Sequence, residues 1–314
     1  MLYIFIGTIQ ELDTYFCNLS RSEYRLLDCK SLRGGPTHSR TMEDVMVPTT
    51  VIIPTKNRLE LLKRAVNSVL NQTTPVSAVI VVDDGSQPPV SIEDVKSDIV
   101  TVYRHSTSAG PSGARNSGVR LATTQWVTFL DDDDELDPEF ASELSKVIDG
   151  PLRGDFIWSG VRFRRSDGST QGVRTFTHME GDQESLCREA LDVGTGYGLT
   201  VLTDRFRAVG EFDDRLSLTE DTDFIIRAMK AGMRPAVIGA AMVQITNHSG
   251  ARLTNGHNDE KRIEECRAIL AKHETLSSDL PYVEEWMQQR IVDLQSRVAG
   301  GKFVTKCEGF STSD

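Results

Sequence analysis

The chain has 314 residues, of which 39% are hydrophobic and 26% are charged, so it can bury a sizeable core and wholesale disorder is excluded. Its 35 basic and 46 acidic residues give a net charge of −11, and general binding to nucleic acid or to anionic membranes is therefore not expected. Five scattered cysteines, with no CxxC pair among them, exclude a zinc ribbon and predict reduced thiols.

The composition of the first 46 residues predicts an N-terminal attachment and linker of unknown function. Residues 31–40 are rich in Gly, Pro and Ser, as linkers are, and no chemical motif precedes them. The apolar start has no basic leader, and no run of about 20 apolar residues occurs in the chain. We therefore expect a cytoplasmic protein without a membrane span, with peripheral attachment at the inner membrane face as an alternative.

Alternating strand and helix patterns predict an α/β domain over residues 47–255. Strands are predicted at Thr50–Ile53, Ala78–Val82, Val100–Arg104, Trp126–Leu130, Asp155–Arg164 and Arg234–Gln244. Helical spacing of apolar residues covers Arg58–Gln72, and a second helix is predicted at Gly113–Thr123. Because strand–helix–strand order implies parallel pairing, we expect a Rossmann-like, mostly parallel sheet flanked by helices.

Residues 256–299 predict a C-terminal helical extension, and residues 300–314 predict a disordered tail. Two apolar stripes at helical spacing are formed by Ile263, Cys266, Ile269 and Leu270, and by Val283, Met287, Ile291, Leu294 and Val298. Packing of these stripes against the main domain is the favoured interpretation. A homo-oligomer that forms through the same helices is a further possibility for this segment.

Three polar clusters each follow a predicted parallel strand directly. They are Thr55-Lys56-Asn57-Arg58, Asp83-Asp84-Gly85-Ser86 and Asp131-Asp132-Asp133-Asp134. In an open α/β sheet, ligands bind at the carboxyl ends of the strands. We therefore expect these clusters, which are far apart in the sequence, to meet on one edge of the sheet.

The four consecutive aspartates favour a site for Mg²⁺ or Mn²⁺. Adjacent carboxylates at a buried strand end repel one another unless a cation neutralises them, although a solvated acidic turn is the alternative. The spacing excludes an EF-hand, because Leu136 and Ser142 stand where Gly and Glu are required. Glu135 excludes a DxDx[TV] phosphatase, and no Walker A loop is present in the sequence.

Two other features of the same edge point to a nucleotide. Asp83 and Asp84 either close an Asx-type turn or accept hydrogen bonds from a base or ribose. The helix that opens at Gly110-Pro111 could hold a diphosphate at its N-terminus with the help of Arg115, which could equally pair with an aspartate. The glycines at 194, 196 and 198 predict a flexible loop beside the site.

The segments VIIPTKNR, SVLNQ, VVDDGS, GARNSGVRLA and FLDDDDELDP resemble, in this order, the inverting family 2 glycosyltransferases of the GT-A fold. Two later segments, Gly210–Asp213 and Thr219–Asp223 with Arg227 and Gly232, are similar to the family's GGFDE and ED…R…G segments. Asn247-His248-Ser249 stands where many GT-A enzymes carry a histidine that completes the metal site. The resemblance covers roughly residues 49–250 and implies the GT-A fold.

The resemblance implies roles for the residues at matching positions. Asp221 would be the catalytic base, with Asp223 or Glu220 as the fallback. Mn²⁺ or Mg²⁺ would be bound by Asp133, Asp131 and His248, although the fourfold run leaves the register open to Asp132 or Asp134. The residues expected to bind the nucleotide-sugar are Pro54, Thr55, Asn57, Arg58, Asp83, Asp84, Arg115, Asp131 and Asp132.

The activity implied by the resemblance is metal-dependent, inverting transfer of a sugar from a nucleotide-diphosphate sugar to an acceptor hydroxyl. A UDP-sugar is the favoured donor, and a glycan or glycoconjugate is the expected acceptor, as in polysaccharide biosynthesis. The alternatives are a catalytically degenerate domain that binds nucleotide-sugar or glycan, and a nucleotidyl or phosphoryl transferase. The presence of the DxD, ED and His motifs together speaks against degeneration, because a binding module has no use for a base.

Overall fold

The computed structural model of the protein describes residues 46–91, 97–151, 154–176, 183–194, 196–246 and 258–300. Its strands are β1 (Val47–Thr55), β2 (Val76–Asp83), β3 (Val100–Arg104), β4 (Trp126–Phe129), β5 (Asp134–Leu136), β6 (Phe156–Arg164), β7 (Thr170–Arg174), β8 (Thr200–Leu202) and β9 (Pro235–Thr246). Its helices are α1 (Leu59–Leu70), α2 (Gly110–Leu121), α3 (Phe140–Asp149), α4 (Gln183–Val193), α5 (Thr203–Ala208), α6 (Glu220–Lys230), α7 (Asp259–Lys272), α8 (Leu276–Asp279) and α9 (Pro281–Val298). The predicted attachment and the predicted tail lie almost entirely outside the described residues.

The described strands form one nine-stranded sheet in the order β3-β2-β1-β4-β8-β6-β9-β5, with β7 paired to β6. Strands β3, β2, β1 and β4 are parallel neighbours, and β6 is parallel to β9. The other four pairs, β4–β8, β6–β8, β6–β7 and β5–β9, are antiparallel. The predicted α/β class is confirmed, and the antiparallel pairs come from short strands that periodicity in the sequence does not reveal.

The first half of the sheet is buried on both faces, as its continuous apolar runs predict. Val51, Ile52 and Ile53 of β1 are all 0% exposed. Helix α1 covers this part of the sheet with Leu62 and Val66, which are also 0% exposed. Burying both faces of the strands leaves their carboxyl ends as the edge where polar groups can reach a ligand.

Helix α2 lies unusually close to the sheet and holds the segment that leads to α6. A Cβ atom on Gly118 would lie 2.5 Å from Ile52 Cγ2, so only glycine permits this approach. Asn116 donates from Nδ2 to the Phe212 carbonyl at 2.9 Å and accepts from the Phe212 N–H at 3.0 Å. Ser112 Oγ donates to the Leu216 carbonyl at 2.6 Å. These contacts hold Phe212 and Leu216, on the segment that leads into α6, against α2.

Helices α7, α8 and α9 pack against one another and against the main part of the domain. The predicted stripes are buried at Cys266, Ile269, Val283, Met287 and Leu294, with 2% exposure or less at each. Val298 departs from its predicted stripe, since it is 48% exposed at the end of α9. No helix within the described ranges combines the length and the apolar character that a membrane crossing requires.

Candidate active site

Three loops meet at the carboxyl edge of the sheet. Thr55 at the end of β1 lies opposite Asp83 at the end of β2. The Asn57 N–H donates to Ser86 Oγ at 2.9 Å, which joins the loops that follow these strands. Thr55 Oγ1 donates to Asp132 Oδ2 at 2.7 Å, in the loop after β4. The convergence that the sequence predicted is confirmed.

A cavity of about 460 Å³, here named the strand-end cavity, opens at this edge. Its walls come from the loops after β1, β2 and β4 and from the first residues of α2. Its volume falls within the range of about 300–1,000 Å³ that is usual for small-molecule sites. The residues of the predicted sites that line it are Pro54, Thr55, Arg58, Asp84, Arg115, Asp131, Asp132 and Asp133.

Asp84 ties the loop after β2 to the N-terminus of α2. Its carboxylate accepts hydrogen bonds from the N–H groups of Ala109 at 2.7 Å and Gly110 at 3.0 Å. Ser108 Oγ donates to it at 2.5 Å, and His105 Nδ1 lies 2.7 Å away. Burial alone would raise the pKa of Asp84, but these hydrogen bonds outweigh it and lower the pKa below its usual value.

Asp83 and Asn57 shape the loops of the same edge. Asp83 is 0% exposed, its carboxylate accepts from the Ser86 N–H at 2.8 Å, and it forms an ion pair with Arg104. This is the Asx-type turn that the sequence left open. Asn57 has a positive φ of 58°, and its Oδ1 accepts from the Gln87 N–H at 2.7 Å. Contact of either residue with a nucleotide-sugar stays a prediction.

Within the aspartate run, Asp132 is held by Thr55 and Arg58, and Arg58 Nη1 also lies 3.4 Å from Asp133 Oδ2. Asp132 accepts from Thr55 Oγ1, and its other oxygen lies 3.1 Å from Arg58 Nη1. Burial raises the pKa of Asp132 to about 6, against the opposing effects of Thr55 and Arg58. The second aspartate is therefore engaged by the loop after β1.

The other three aspartates form a cluster of carboxylates. One oxygen from each of Asp131, Asp133 and Asp134 lies within 4.8 Å of the others. Asp134 opens β5 and stands opposite Ile245, one residue before the end of β9. The structure thus groups the predicted pair with Asp134. His248, the third predicted ligand, lies outside the described residues.

Arg115 connects this cluster to α6. Its Nη2 donates to Asp131 Oδ1 at 2.5 Å, and its Nη1 donates to Glu220 Oε1 at 2.7 Å. Burial alone would lower the pKa of Arg115, but the negative charges of Asp131 and Glu220 outweigh burial and raise this pKa above its usual value. The structural pairing that the sequence allowed for Arg115 is therefore present, at the wall of the strand-end cavity.

A second cavity of about 370 Å³, here named the helix-side cavity, is lined by residues of α6, α7 and α9. Arg115, Asp131, Asp134 and Tyr197 line both cavities, so the two share a wall at the aspartate cluster. Asp221, the second residue of α6, lines the helix-side cavity. The predicted base and the predicted metal site therefore stand on two sides of one divided cleft.

The loop at residues 194–198 leaves room for the Asp221 carboxylate. A Cβ atom on Gly196 would lie 3.1 Å from Asp221 Oδ2, so a larger residue there would crowd the carboxylate. Asp221 Oδ1 accepts from the Thr222 N–H at 2.7 Å, which orients the side chain at the start of α6. The predicted position of this glycine loop beside the site is confirmed.

Helix α6 has no side-chain cap from its N-cap residue. Helix α6 does begin directly after Thr219, but this residue makes no side-chain hydrogen bond to the helix. Thr219 Oγ1 donates instead to Glu265 Oε2 on α7 at 2.9 Å. Glu265 also accepts from the N–H groups of Ser217 at 3.1 Å and Leu218 at 3.0 Å. A long-range carboxylate therefore replaces the local cap.

Asp223, one of the two fallback bases, is committed to an ion-pair cluster. It is 0% exposed and lies 2.9 Å from Arg227 Nε, 2.8 Å from Lys272 Nζ and 3.0 Å from His273 Nε2. Arg227 in turn donates to the carbonyls of Val209 and Glu211, at 2.5 and 2.6 Å. Asp223 therefore braces α6 against its neighbours and lines neither cavity, whereas Asp221 and the other fallback base, Glu220, both line the helix-side cavity.

The Asp223→Asn variant should be less stable than the wild type by about 2 kcal/mol at neutral pH. Burial would raise the pKa of Asp223, but His273, Lys272 and Arg227 lower it to about 2. A depressed folded-state pKa stabilises the protein above the unfolded-state value near 4, and this stabilisation disappears as the pH falls toward 2. Urea unfolding at pH 7 and at pH 3 measures the difference. If the variant and the wild type differ in free energy of unfolding by the same amount at both pH values, the stabilising role of the Asp223 charge is contradicted.

Tyr197 is a cleft residue that the sequence analysis did not single out. It lines both cavities, and burial, aided by the negative charge of Asp134, raises its pKa to about 12. It is the one aromatic residue of the Gly194–Gly198 loop, and that is the signal the sequence carried. Trp286 and three arginines of α7 and α9 also line the helix-side cavity, and no motif marks them in the sequence.

Comparison with known proteins agrees with this fold. Residues 50–237 match the family model described as glycosyl transferase family 2. Because the match spans more than half of the chain, the protein belongs to this family. A crystal structure of S. aureus TarS residues 1–349 in complex with UDP-GlcNAc is similar, with a TM-score of 0.60 and 22% identity over 80% of this chain and 72% of that chain. That likeness shows the fold.

Two relatives describe how far the similarity extends. An uncharacterized glycosyltransferase of Haemophilus influenzae is 28% identical over 71% of this chain and 77% of the relative. The pre-mycofactocin glycosyltransferase of Mycobacterium tuberculosis is 30% identical over 67% of this chain, but the match spans only 44% of that protein. The comparisons therefore establish that this protein is a glycosyltransferase. The substrates of these relatives are properties of those proteins.

Proposed function

We propose that this protein is a metal-dependent, inverting glycosyltransferase that moves a sugar from a UDP-sugar to a hydroxyl of a glycan or glycoconjugate. One observation carries the proposal: Asp221 faces a cavity that shares its wall with the strand-end cavity at Asp131 and Asp134. An inverting displacement needs a base on one side of the anomeric carbon and a stabilised leaving group on the other. The divided cleft supplies a residue for each role.

The strand-end cavity is the proposed donor site. Its walls combine the N-terminus of α2, which favours negative charge, with the cationic side chains of Arg58 and Arg115. The solved relative TarS binds UDP-GlcNAc, which supports a UDP-sugar as the donor here. The loops after β1 and β2 would surround the nucleoside, while Asp131 and Asp132 would lie toward the ribose and diphosphate.

The acidic cluster fits a hard divalent cation, for which Mn²⁺ and Mg²⁺ are the candidates. Asp131, Asp133 and Asp134 offer oxygen ligands, and opposite oxygens around Mg²⁺ stand about 4.2 Å apart. The observed spread of up to 4.8 Å needs only small side-chain adjustments to match. When bound, such an ion supplies positive charge that offsets the charge of the leaving diphosphate. His248 stays a predicted additional ligand.

The Asp221 carboxylate is the proposed general base. It would take the proton of the acceptor hydroxyl while that oxygen forms a bond to the anomeric carbon. The bond from the anomeric carbon to the diphosphate oxygen breaks in the same step, and the nucleoside diphosphate leaves with the electron pair. The helix-side cavity would hold the acceptor, and Tyr197, which lines both cavities, would lie beside the reacting atoms.

The wider organisation of the chain forms part of the proposal. We assign residues 47–255 to the glycosyltransferase domain and residues 256–299 to a helical extension that completes the helix-side cavity through α7 and α9. A role in polysaccharide biosynthesis and a cytoplasmic location, with peripheral contact at a membrane face as the alternative, are consistent with a nucleotide-sugar donor.

The proposal is tested by thermal unfolding in the presence of Mn²⁺ with UDP, GDP, dTDP and their sugars. A ligand at about 100 times its Kd adds about 2.7 kcal/mol of stability, which moves the midpoint by several degrees in a chain of this size. We expect a shift with UDP and UDP-sugars that a chelator abolishes. Shifts that persist in chelator would contradict the metal site. The absence of a shift with every nucleotide tested would contradict the proposed transferase activity.

A further inference from the structure

Three arginines from the C-terminal helices line the helix-side cavity, and we call them the arginine cluster. Arg262 lies on α7, and Arg290 and Arg297 lie on α9, seven residues and hence about two helical turns apart. Because α7 packs on α9, the cluster forms at the interface of these helices. No residue of the cluster lines the strand-end cavity.

One carboxylate, Asp259, serves two members of the cluster. Its Oδ2 lies 2.9 Å from Arg297 Nε, and its Oδ1 lies 3.7 Å from Arg262 Nη1. Arg290 forms no ion pair within the described part of the chain. Burial and the neighbouring charges of Arg262 and Arg297 lower the pKa of Arg290, and Cys266 and Asp293 offset this only partly. A half-buried positive charge beside two others is unfavourable unless an anion joins it.

The cluster is close to the proposed base. Cys266 on α7 lines the same cavity, and the charges of both the cluster and Asp221 affect its thiol. Burial is the main cause of the raised pKa of Cys266. Arg290 and Arg262 lower this pKa, whereas Asp221 raises it. An anion held by the arginine cluster would therefore sit on the acceptor side of the cleft, within electrostatic range of Asp221.

We propose that the arginine cluster is a subsite for a phosphate group carried by the acceptor, so that the acceptor of this enzyme is a phosphorylated glycan or glycoconjugate. This inference deepens the proposed function and rests on it, because the proposed function assigns the helix-side cavity to the acceptor. A guanidinium group can donate two parallel hydrogen bonds to phosphate oxygens, and a phosphate supplies the negative charge that would pair with Arg290. The same cavity is also lined by carboxylates, but no described carboxylate forms an ion pair with Arg290, and a neutral acceptor would leave it without one.

The test uses methyl phosphate as the probe and the full chain saturated with UDP and Mn²⁺, so that the strand-end cavity is already filled. Binding is followed by calorimetry for the wild type, Arg290→Gln, Arg290→Lys and Arg267→Gln. Arg267 is exposed on α7 and lies outside the cavity wall, so its variant removes the same charge elsewhere. We expect at least tenfold weaker binding in Arg290→Gln, partial recovery in Arg290→Lys and wild-type binding in Arg267→Gln.

Several outcomes would overturn the proposal. Equal methyl phosphate affinity in the wild type and Arg290→Gln would do so, as would acetate binding as tightly as methyl phosphate. A matching loss of UDP affinity in Arg290→Gln would show that the cluster serves the donor instead. Arg290→Gln should keep the wild-type melting temperature without phosphate, because the change relieves repulsion from Arg262 and Arg297. If UDP fails to bind the wild type, the proposed function fails, while phosphate binding at Arg290 can still be measured alone.

Discussion

Replacing Asp221 by asparagine is expected to abolish most sugar transfer while leaving donor binding intact. The amide cannot accept the proton of the acceptor hydroxyl, and a positioned general base contributes about 10²–10⁴-fold to the rate. Asparagine keeps the size of the side chain and the oxygen that accepts from the Thr222 N–H, so the start of α6 should not change. The measurement pairs turnover of the UDP-sugar found in the melting panel with the Kd of UDP.

Asp214 provides the matched control for this variant. It is exposed on the segment that leads into α6 and lies in neither cavity wall, so Asp214→Asn removes the same charge without touching the cleft. We expect its turnover to stay at the wild-type level. Turnover near the wild-type value in Asp221→Asn would assign the base to another residue. A parallel loss of UDP affinity would mean that Asp221 acts on the donor.

Replacing Asp133 by asparagine is expected to weaken Mn²⁺-dependent UDP binding by about tenfold or more. The reason is the loss of one of three clustered oxygen ligands, and disturbing even an outer partner of a metal site costs about 10–100-fold in affinity. The measurement is UDP titration with Mn²⁺ and with chelator. In chelator, the variant and the wild type should bind UDP about equally, because Asp132 still holds Arg58 at 3.1 Å when the longer contact of Arg58 with Asp133, at 3.4 Å, is weakened.

The neighbouring residue tests which aspartates form the cluster. Asp132→Asn carries the same charge change one position earlier, but its side chain faces Thr55 and Arg58. The amide oxygen can still accept from Thr55, so we expect a smaller loss of metal-dependent affinity than in Asp133→Asn. An equal or larger loss in Asp132→Asn would reverse the register and assign Asp132 to the cation.

Local sequence patterns were sufficient for the parallel half of the sheet and for the edge that carries the site. Strands such as β1 and β2 are continuous runs of β-branched and apolar residues, and α1 shows its buried face at helical spacing. These signals depend on neighbours in the chain, so they survive without tertiary information. The order of strands and helices then places the three polar loops on one edge, as the hydrogen bonds between them confirm.

The short antiparallel strands could not be predicted in the same way. Strands β5 and β8 have three residues each, which is too few for a period to emerge. Their conformation comes from pairing with β9, β4 and β6, which are distant in the sequence. Asp134 belongs to one of these strands, so pairing with β9 fixes the backbone of this member of the carboxylate cluster.

What the sequence determined by itself is therefore the class of fold, the edge that carries the site and the candidate residues along it. Only the tertiary structure decided which side chains face the cleft. Asp132 turns to Thr55 and Arg58, Thr219 donates to Glu265 instead of capping α6, and Arg290 meets Arg262 because α7 packs on α9. Each of these choices depends on a partner far along the chain, so local propensity and spacing carry no record of it.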